Sequence, residues 1–143
     1  MEPRNCPAEG FDRWYLAATN AWANFNVQAG FEVTVAEDGE AEIRMKWNDG
    51  FTQYSGHLHA GMIAALLDTA CGFAAATRVG PVTASHFSMN CLRPAIGRAL
   101  VAKGSMVRAG RRQVFARAEL FAEDEQGTMS LVATGETLLV PVD

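Results

Sequence analysis

One long, strongly apolar segment near the middle of the chain limits the folds that this sequence can adopt. Residues 59–77 read HAGMIAALLDTACGFAAAT, so apolar or small residues occupy nearly every position. A helix that is apolar almost all round is buried inside a fold rather than laid on its surface. We therefore expect this helix to lie at the centre of the molecule, with other elements wrapped around it.

Segments with the alternation of β-strands lie on both sides of this helix. Residues 31–37 and 40–47 flank an Asp38-Gly39 pair that is typical of a tight hairpin. Four more such segments follow the helix, separated by turn-rich stretches, at residues 82–92, 99–108, 113–122 and 130–140. Strands before and after one apolar helix predict an α+β protein with an antiparallel sheet wrapped around that helix. This is the hotdog fold, and a large open sheet face or edge would favour dimerisation.

An additional helix is predicted near the N-terminus, over residues 8–25. Its aromatic face has three- and four-residue spacing and comprises Phe11, Trp14, Tyr15, Ala18, Trp22 and Phe25. We expect this face to pack on the core. No repeat or linker divides the 143 residues, so residues 1–143 are expected to form a single hotdog domain.

Composition restricts the partners and the compartment. A net charge of −4 argues mildly against nucleic acid as a partner. The three cysteines lie far apart without CxxC spacing, as expected of free thiols in a reducing compartment. The N-terminal residues lack the order of a secretory signal, and no apolar run approaches the length of a membrane span. We expect a cytoplasmic protein without nucleic-acid or membrane partners.

The central helix carries a single carboxylate, Asp68, and no other side chain between residue 55 and Arg78 is an acid, lysine or arginine. A buried ionised carboxylate without a partner costs several kcal/mol, so such a group is paired, protonated or functional. In the structural alternative, Asp68 caps a backbone group or meets an arginine across an interface.

Residues around the start of this helix favour a functional role. Hydrogen-bonding side chains cluster there, and the small residues Ala60 and Gly61 leave the first-turn N–H groups open to close approach. Such N–H groups, aided by the helix dipole, polarise a carbonyl oxygen and stabilise an oxyanion. Ala60 and Asp68 are about 12 Å apart at about 1.5 Å per residue. If both act on one carbon atom, the site combines two copies of the helix, with Asp68 as general base or nucleophile.

Two motifs resemble those of hotdog-fold acyl-CoA thioesterases of the PaaI-like type, named for the phenylacetic-acid pathway and related to 4-hydroxybenzoyl-CoA thioesterases. The first is GHLHAG at residues 56–61 followed by Leu66-Leu67-Asp68, and the second is FSMNCLRPA at residues 87–95. The resemblance covers roughly residues 30 to 140. It implies an acyl-CoA thioesterase that hydrolyses an acyl- or aryl-acyl-CoA to free acid and CoA. The protein would be a homodimer or a homotetramer built as a dimer of dimers.

The resemblance also implies roles for individual residues. Asp68 corresponds to the catalytic base or nucleophile, and the Ala60 N–H polarises the thioester carbonyl. Gln53 helps to hold the attacking water or the carbonyl. The family usually has glycine where Ala60 stands and often asparagine where Gln53 stands, the glutamine being closer to members that act on aromatic acyl-CoAs. His86 stands where an acidic or polar residue is common.

The histidines and Cys71 can each be interpreted as site residues or as structural residues. His57 and His59 lack a third metal ligand at a recognised spacing, so we expect no metal and no bound cofactor, coenzyme A being part of the substrate. His59 is expected to orient the loop or the carbonyl by hydrogen bonding, and Cys71 to be a small buried hydrophobe. His86, expected on one strand face with Ala84 and Ser88, either lines the site or packs.

Substrate-binding candidates complete the prediction. Gly61 lies beside the predicted oxyanion donor. The basic turn that contains Arg108, Gly110 and Arg111 is either a solvated hairpin or a contact for the phosphates of coenzyme A. Arg93 and Arg98 are weaker candidates of the same kind. A non-catalytic acyl-CoA-binding module and an enoyl-CoA hydratase or dehydratase remain as alternatives to the thioesterase.

Overall fold

The computed structural model describes residues 19–142. One antiparallel sheet contains β1 (Glu32–Glu37), β2 (Glu40–Lys46), β3 (Val82–Cys91), β4 (Ala99–Ala109), β5 (Val114–Glu123) and β6 (Met129–Pro141). The strand order is β1-β2-β4-β5-β6-β3, so β1 and β3 are the edges. Every strand end lies within about one residue of its predicted position, which is within the usual uncertainty of element boundaries. The predicted hotdog arrangement is confirmed.

A short α1 (Asn24–Ala29) precedes the sheet, and the long α2 (Ala60–Val79) packs against one face of it. Leu66 and Leu67 of α2 are fully buried there. Close packing of helix on sheet requires a glycine at position 104 of β4, because a Cβ atom there would overlap the carbonyl oxygen of Ala70. The buried helix of the sequence prediction is therefore the centre of the core.

The length of α2 corrects one expectation from the sequence. Residues Ala60–Val79 are long and apolar enough to cross a membrane by length and composition, contrary to the expectation that no run approaches this size. Most of this helix is buried within the protein's own fold, as in the core helix of a soluble protein.

The β1–β2 turn is tied to the C-terminal end of α2. Asp38 and Gly39 both have positive φ, 52° and 84°, as the predicted Asp-Gly hairpin turn requires. The Gly39 amide donates to the buried Thr77 hydroxyl at 2.7 Å, and Arg78 forms an exposed ion pair with Asp38 at 2.8 Å. These contacts fix which end of the helix faces the hairpin turn.

The N-terminal helix differs from the prediction in two respects. Residues 19–22 are helical, and α1 follows and ends at Gly30 with φ of 75°. Residues 8–18 of the predicted helix lie outside the described residues. The aromatic face is not buried where it is described, because Trp22 is 57% and Phe25 is 55% exposed. The Phe25 ring instead meets the Phe31 ring edge-on, with centroids 5.9 Å apart.

Candidate active site

A tight loop presents the start of α2. The backbone N–H of Gln53 donates to the His57 carbonyl at 2.9 Å and closes a turn. Gly56 lies within this turn and has φ of 89°. The buried Leu58 donates its amide to the Ala95 carbonyl at 3.0 Å. This bond holds the loop against the segment that follows β3 and thereby fixes the position of the next residue, His59.

His59 is the N-cap of α2. Its Nδ1 atom accepts a hydrogen bond from the Gly61 amide at 2.7 Å. A neutral imidazole that accepts at Nδ1 carries its proton on Nε2. A Cβ atom at position 61 would come within 2.9 Å of that Nδ1 atom, so the glycine allows the histidine ring to cap the helix. His59 therefore caps the helix, and the backbone N–H of Gly61 donates to this cap.

The remaining amides of the first turn differ in their partners. Met62 and Ile63 both donate to the His59 carbonyl, at 2.9 and 3.1 Å. Within residues 19–142, the Ala60 amide has no acceptor. The bond from Ile63 is the first regular intrahelical one. Four N–H groups at a helix start, here those of residues 59–62, lack such a partner. The His59 N–H donates to the Phe51 carbonyl at 2.9 Å, and His59 itself accepts from Gly61 and Met62. The amide of Ala60 is the one left open, as the resemblance to PaaI-like thioesterases implies for the oxyanion donor.

The open amide lies at a pocket of about 440 Å³, named here the helix-start pocket. Gln53, His57, His59, Ala60 and Arg93 line it, together with the exposed Cys91. The side-chain Nε2 atom of Gln53 lies 3.1 Å from Nε2 of His57, and the side-chain Oε1 atom of Gln53 accepts a hydrogen bond from the backbone N–H of Ser55. One N–H of the Gln53 side chain consequently remains for a water molecule or a carbonyl oxygen.

Asp68 lies in a different part of the protein surface. Its side chain is half-buried, and among the described residues its Oδ1 atom is buried without a hydrogen-bond partner. Burial raises the pKa of the Asp68 carboxyl above its ordinary value. This carboxyl lines a second pocket of about 350 Å³, named here the Asp68 cavity, between α2, the start of β3 and the N-terminal residues Thr19, Ala23 and Asn26.

Within one chain the helix-start pocket and the Asp68 cavity are separate. No residue lines both of them, and about 12 Å of helix axis separates Ala60 from Asp68 at about 1.5 Å per residue. The sequence prediction did not single out Thr19 and Gly72, which also line the Asp68 cavity. The sequence carried a signal for Gly72, because it is a glycine in the middle of an otherwise apolar helix, one turn after the acid.

The predicted facing of His86 is wrong. Ser85 forms a bulge, so Ala84 pairs with the buried Leu139 whereas His86 pairs with Leu138. Paired residues share a sheet face; His86 and Ala84 therefore lie on opposite faces. Ala84 lines the Asp68 cavity, and the exposed His86 does not.

The basic turn lies far from the helix-start pocket of its own chain. Arg108, Gly110 and Arg111 are exposed. The register from Val114 through Leu139 to Ala84 places this turn at the same end of the sheet as the start of β3 and the Asp68 cavity, with β6 between β5 and β3. Arg93 lies at the other end, in the helix-start pocket.

The surroundings of Cys71 and Arg98 indicate structural rather than catalytic roles. Burial raises the pKa of the Cys71 thiol to about 11, so this thiol is a poor nucleophile, as interpreted from the sequence. Arg98, considered with Arg93 for phosphate binding, donates to the Glu123 carboxylate at 2.9 Å. In the described part of the chain, no three His, Cys, Asp or Glu side chains are placed to hold a metal ion.

Comparisons with known proteins identify the family of this chain. Residues 55–128, just over half of the chain, match the Thioesterase superfamily, and the chain belongs to that family. A curated protein of Halobacterium salinarum, provisionally named as an esterase, is 36% identical over 89 residues. That match covers 57% of this chain and spans 58% of the length of the relative.

Solved structures show the same fold over most of the chain. A thioesterase family protein from Silicibacter pomeroyi has a TM-score of 0.83 and 28% identity, covering 87% of this chain and 93% of its own. A variant of the phenylacetic acid degradation protein PaaI from Thermus thermophilus has a TM-score of 0.74 and 28% identity, and the match covers 83% of this chain and 99% of the PaaI chain. Escherichia coli PaaI has a TM-score of 0.74 at 20% identity, covering 90% and 95%, and shows the fold alone. The predicted hotdog thioesterase family is confirmed, and PaaI proteins are among the structural neighbours of the chain.

Proposed function

We propose that the protein is an acyl-CoA thioesterase whose active site is shared between two copies of the chain. One observation carries this proposal. Among the described residues, the Ala60 amide and the Oδ1 atom of Asp68 have no hydrogen-bond partner. An N–H donor and a carboxylate are the two groups that the hydrolysis uses, yet they line different pockets of one chain.

The edge strand β3 supports a particular pairing of the two copies. Val82, Thr83 and Ala84 at its start line the Asp68 cavity, and Cys91 at its end lines the helix-start pocket. Nearly all of this edge strand is exposed or half-exposed, and a long open edge is a template for pairing. If two β3 strands pair antiparallel about a two-fold axis, the start of each meets the end of the other. The Asp68 cavity of one copy then faces the helix-start pocket of its partner.

The outer side of α2 supports the same pairing. A stripe of residues there is only partly covered by the rest of its own chain: Gly61, Ala64, Ala65, Asp68, Thr69 and Gly72. Spacings of three and four residues place them on one face of the helix. A second copy that extended the sheet through β3 would cover this stripe and exclude water around Asp68.

Hydrolysis then needs two proton transfers and no covalent enzyme intermediate. The ionised carboxylate of Asp68 takes a proton from a water molecule while the water oxygen attacks the thioester carbon. The carbonyl oxygen becomes an oxyanion and accepts from the Ala60 amide of the other copy, while the spare N–H of Gln53 holds the oxygen or the water. The C–S bond breaks to release the carboxylic acid, and the CoA thiolate takes from Asp68 the proton that came from the water.

The phosphates of coenzyme A would be bound at the rim of this shared site. In the paired arrangement, the basic turn with Arg108 and Arg111 comes from the copy that supplies Asp68. Arg93 comes from the copy that supplies Ala60. Exposed guanidinium groups on both sides of the entrance suit a ligand with several phosphate charges.

Replacement of Ala60 by proline tests the oxyanion role directly. Proline is well tolerated as the first residue of a helix, so Ala60→Pro removes the open N–H while the helix start is retained. His59 already has the extended backbone that precedes a proline, with φ −62° and ψ 137°. We expect kcat to fall by about 10²–10³-fold. Ala60→Gly, which keeps the N–H, is the control, and a folded Ala60→Pro protein with wild-type kcat would refute the proposed site.

A further inference from the structure

The segment between β3 and β4, residues 92–98, forms one side of the helix-start pocket and is named here the wall segment. Residues 92–95 line the pocket, and the Ala95 carbonyl accepts the backbone N–H of Leu58 at 3.0 Å. Leu58 lies two residues before Ala60. The position of the wall segment therefore influences the position of the open amide.

Backbone hydrogen bonds fix the wall segment at its two ends. At one end, two N–H groups donate to the Val132 carbonyl, and at the other the Arg98 N–H donates to the Glu123 carbonyl at 2.8 Å. Between these ends, no backbone N–H of residues 95–97 has an acceptor within residues 19–142. Most residues of the segment are exposed, so apolar burial adds little to its stability. The wall segment consequently depends on its two ends.

The side chain of Glu123 strengthens the end at β4. Arg98 donates through Nε to the Glu123 carboxylate at 2.9 Å and through Nη1 to the Glu125 carbonyl at 3.2 Å. Arg44 of β2 donates to the two oxygens of the same carboxylate at 3.1 and 2.7 Å. A Cβ atom at Gly97 would overlap the Glu123 carbonyl oxygen, so the wall segment lies directly against the backbone of Glu123. Hydrogen bonds between charged groups are stronger than neutral ones.

A second series of contacts leads from Arg98 to the start of α2. The Arg98 carbonyl accepts the backbone N–H of Trp47 at 2.9 Å. The Trp47 indole N–H donates at 2.8 Å to the side chain of the first residue of a single helical turn, Asp49–Phe51. The last carbonyl of this turn accepts the His59 N–H at 2.9 Å. Both series of contacts therefore end at the two residues that precede the open amide.

We infer that Glu123 is a positioning residue, which acts through Arg98 to fix the open amide of Ala60 in the helix-start pocket. This role rests on the proposed function, in which that amide is the oxyanion donor. Such a donor is effective only when it is already placed at the oxygen that becomes charged. A displacement of about 1 Å caused by a distant substitution can cost about 100-fold in rate.

Arg44 distinguishes positioning from a purely structural role. It contacts the same carboxylate as Arg98 but connects Glu123 to β2 and not to the wall segment. Arg44 makes two hydrogen bonds to this carboxylate and Arg98 makes one. If the cluster only stabilised the fold, the loss of Arg44 would matter at least as much as the loss of Arg98.

The kinetic test compares Arg98→Ala with Arg44→Ala, with hexanoyl-CoA and benzoyl-CoA as probes, well below the melting temperature of each variant. Arg98→Ala is expected to lower kcat by about tenfold or more with KM nearly unchanged, because a displaced oxyanion donor weakens transition-state binding. Arg44→Ala is expected to lower the melting temperature and to keep kcat close to the wild-type value. Glu123→Gln should resemble Arg98→Ala, and the double variant should lose no more kcat than either. Wild-type kcat in Arg98→Ala, or an equal loss in Arg44→Ala, would overturn the inference.

Hydrogen exchange separates this inference from the proposed function. The backbone N–H groups of Leu58 and Trp47 are followed by NMR in wild type and in both arginine variants. Faster exchange of the two groups in Arg98→Ala, but not in Arg44→Ala, would support the anchoring role even if wild type hydrolysed neither probe. Unchanged exchange in Arg98→Ala would overturn it even if wild-type hydrolysis were fast.

Discussion

The Nδ1 atom of His59 accepts the Gly61 amide at 2.7 Å, and the same ring leaves no room for a Cβ atom at position 61. Gly61→Ala should therefore push the ring away and break the cap. We expect a loss of about 1 kcal/mol in the free energy of unfolding and a lower kcat, because the Ala60 amide moves with the helix start. Denaturant unfolding and steady-state kinetics measure the two effects.

His59→Asn provides the matched control. Asparagine is a good N-cap and needs less space beside residue 61, so this variant should retain most of the stability. If Gly61→Ala were as stable and as active as wild type, the His59–Gly61 contact would not position the helix start.

A second prediction concerns Asp68 and activity. Asparagine has nearly the same shape as aspartate but takes no proton from water, so Asp68→Asn should remain folded and lose about 10²–10⁴-fold in kcat. In wild type, kcat should rise with pH through the raised pKa of Asp68, at a pH above the ordinary aspartate value of 3.8. A thiol-detecting assay over a pH series gives both results. Full activity in Asp68→Asn would show that the acid is structural.

The same substitution predicts a pH-dependent change in stability. A carboxyl whose pKa is raised in the folded protein stabilises the fold below the unfolded pKa, and this contribution is lost as the pH rises through the folded pKa. Asp68→Asn should therefore be more stable than wild type at neutral pH, and the difference should vanish below pH 3.8. Thermal unfolding of the two proteins over a pH series measures this difference.

Glu123 should have the opposite pH dependence. Hydrogen bonds from Arg44 and Arg98 lower the pKa of the Glu123 carboxyl to about 2. Its stabilising contribution is present above the ordinary glutamate value of 4.5 and is lost as the pH falls from 4.5 to about 2. Glu123→Gln should therefore destabilise the protein at neutral pH by an amount that shrinks across this window. A loss independent of pH would point to packing rather than to these charges.

Sequence patterns predicted the strands and the central helix because each depends on local alternation or on one apolar run. They also indicated Ala60, Asp68 and Gln53 as candidate site residues, because these lie in or beside one motif. The sequence pattern did not indicate the bulge at Ser85, which places His86 on the opposite sheet face from the predicted one. A prediction from alternating side chains assumes that the hydrogen-bond ladder between the strands is unbroken. The Arg98–Glu123 ion pair was equally hidden, since its partners are distant in the chain.

Exposed positive charge at the basic turn predicts an effect on substrate affinity. Arg111→Ala should raise KM more than it lowers kcat, and the loss should shrink at high salt, because the contact with a phosphate would be solvent-exposed. Arg117→Ala removes an exposed arginine from the middle of β5 and serves as the control. Equal KM values for Arg111→Ala and wild type would make the turn a solvated hairpin.

Mixed oligomers give the sharpest test of the shared site. Ala60→Pro keeps Asp68, and Asp68→Asn keeps the open amide, so each variant alone should be nearly inactive. In a mixed dimer with two-fold symmetry, one site loses both groups, and the other has the intact amide from one chain and the intact carboxylate from its partner. Equal mixing after unfolding and refolding makes about half of the dimers mixed, so about one quarter of the wild-type rate should return. Each variant refolded alone is the control. If the mixture stayed as inactive as its components while sedimentation showed dimers, Ala60 and Asp68 would not act together across the interface, and the proposed mechanism would be wrong.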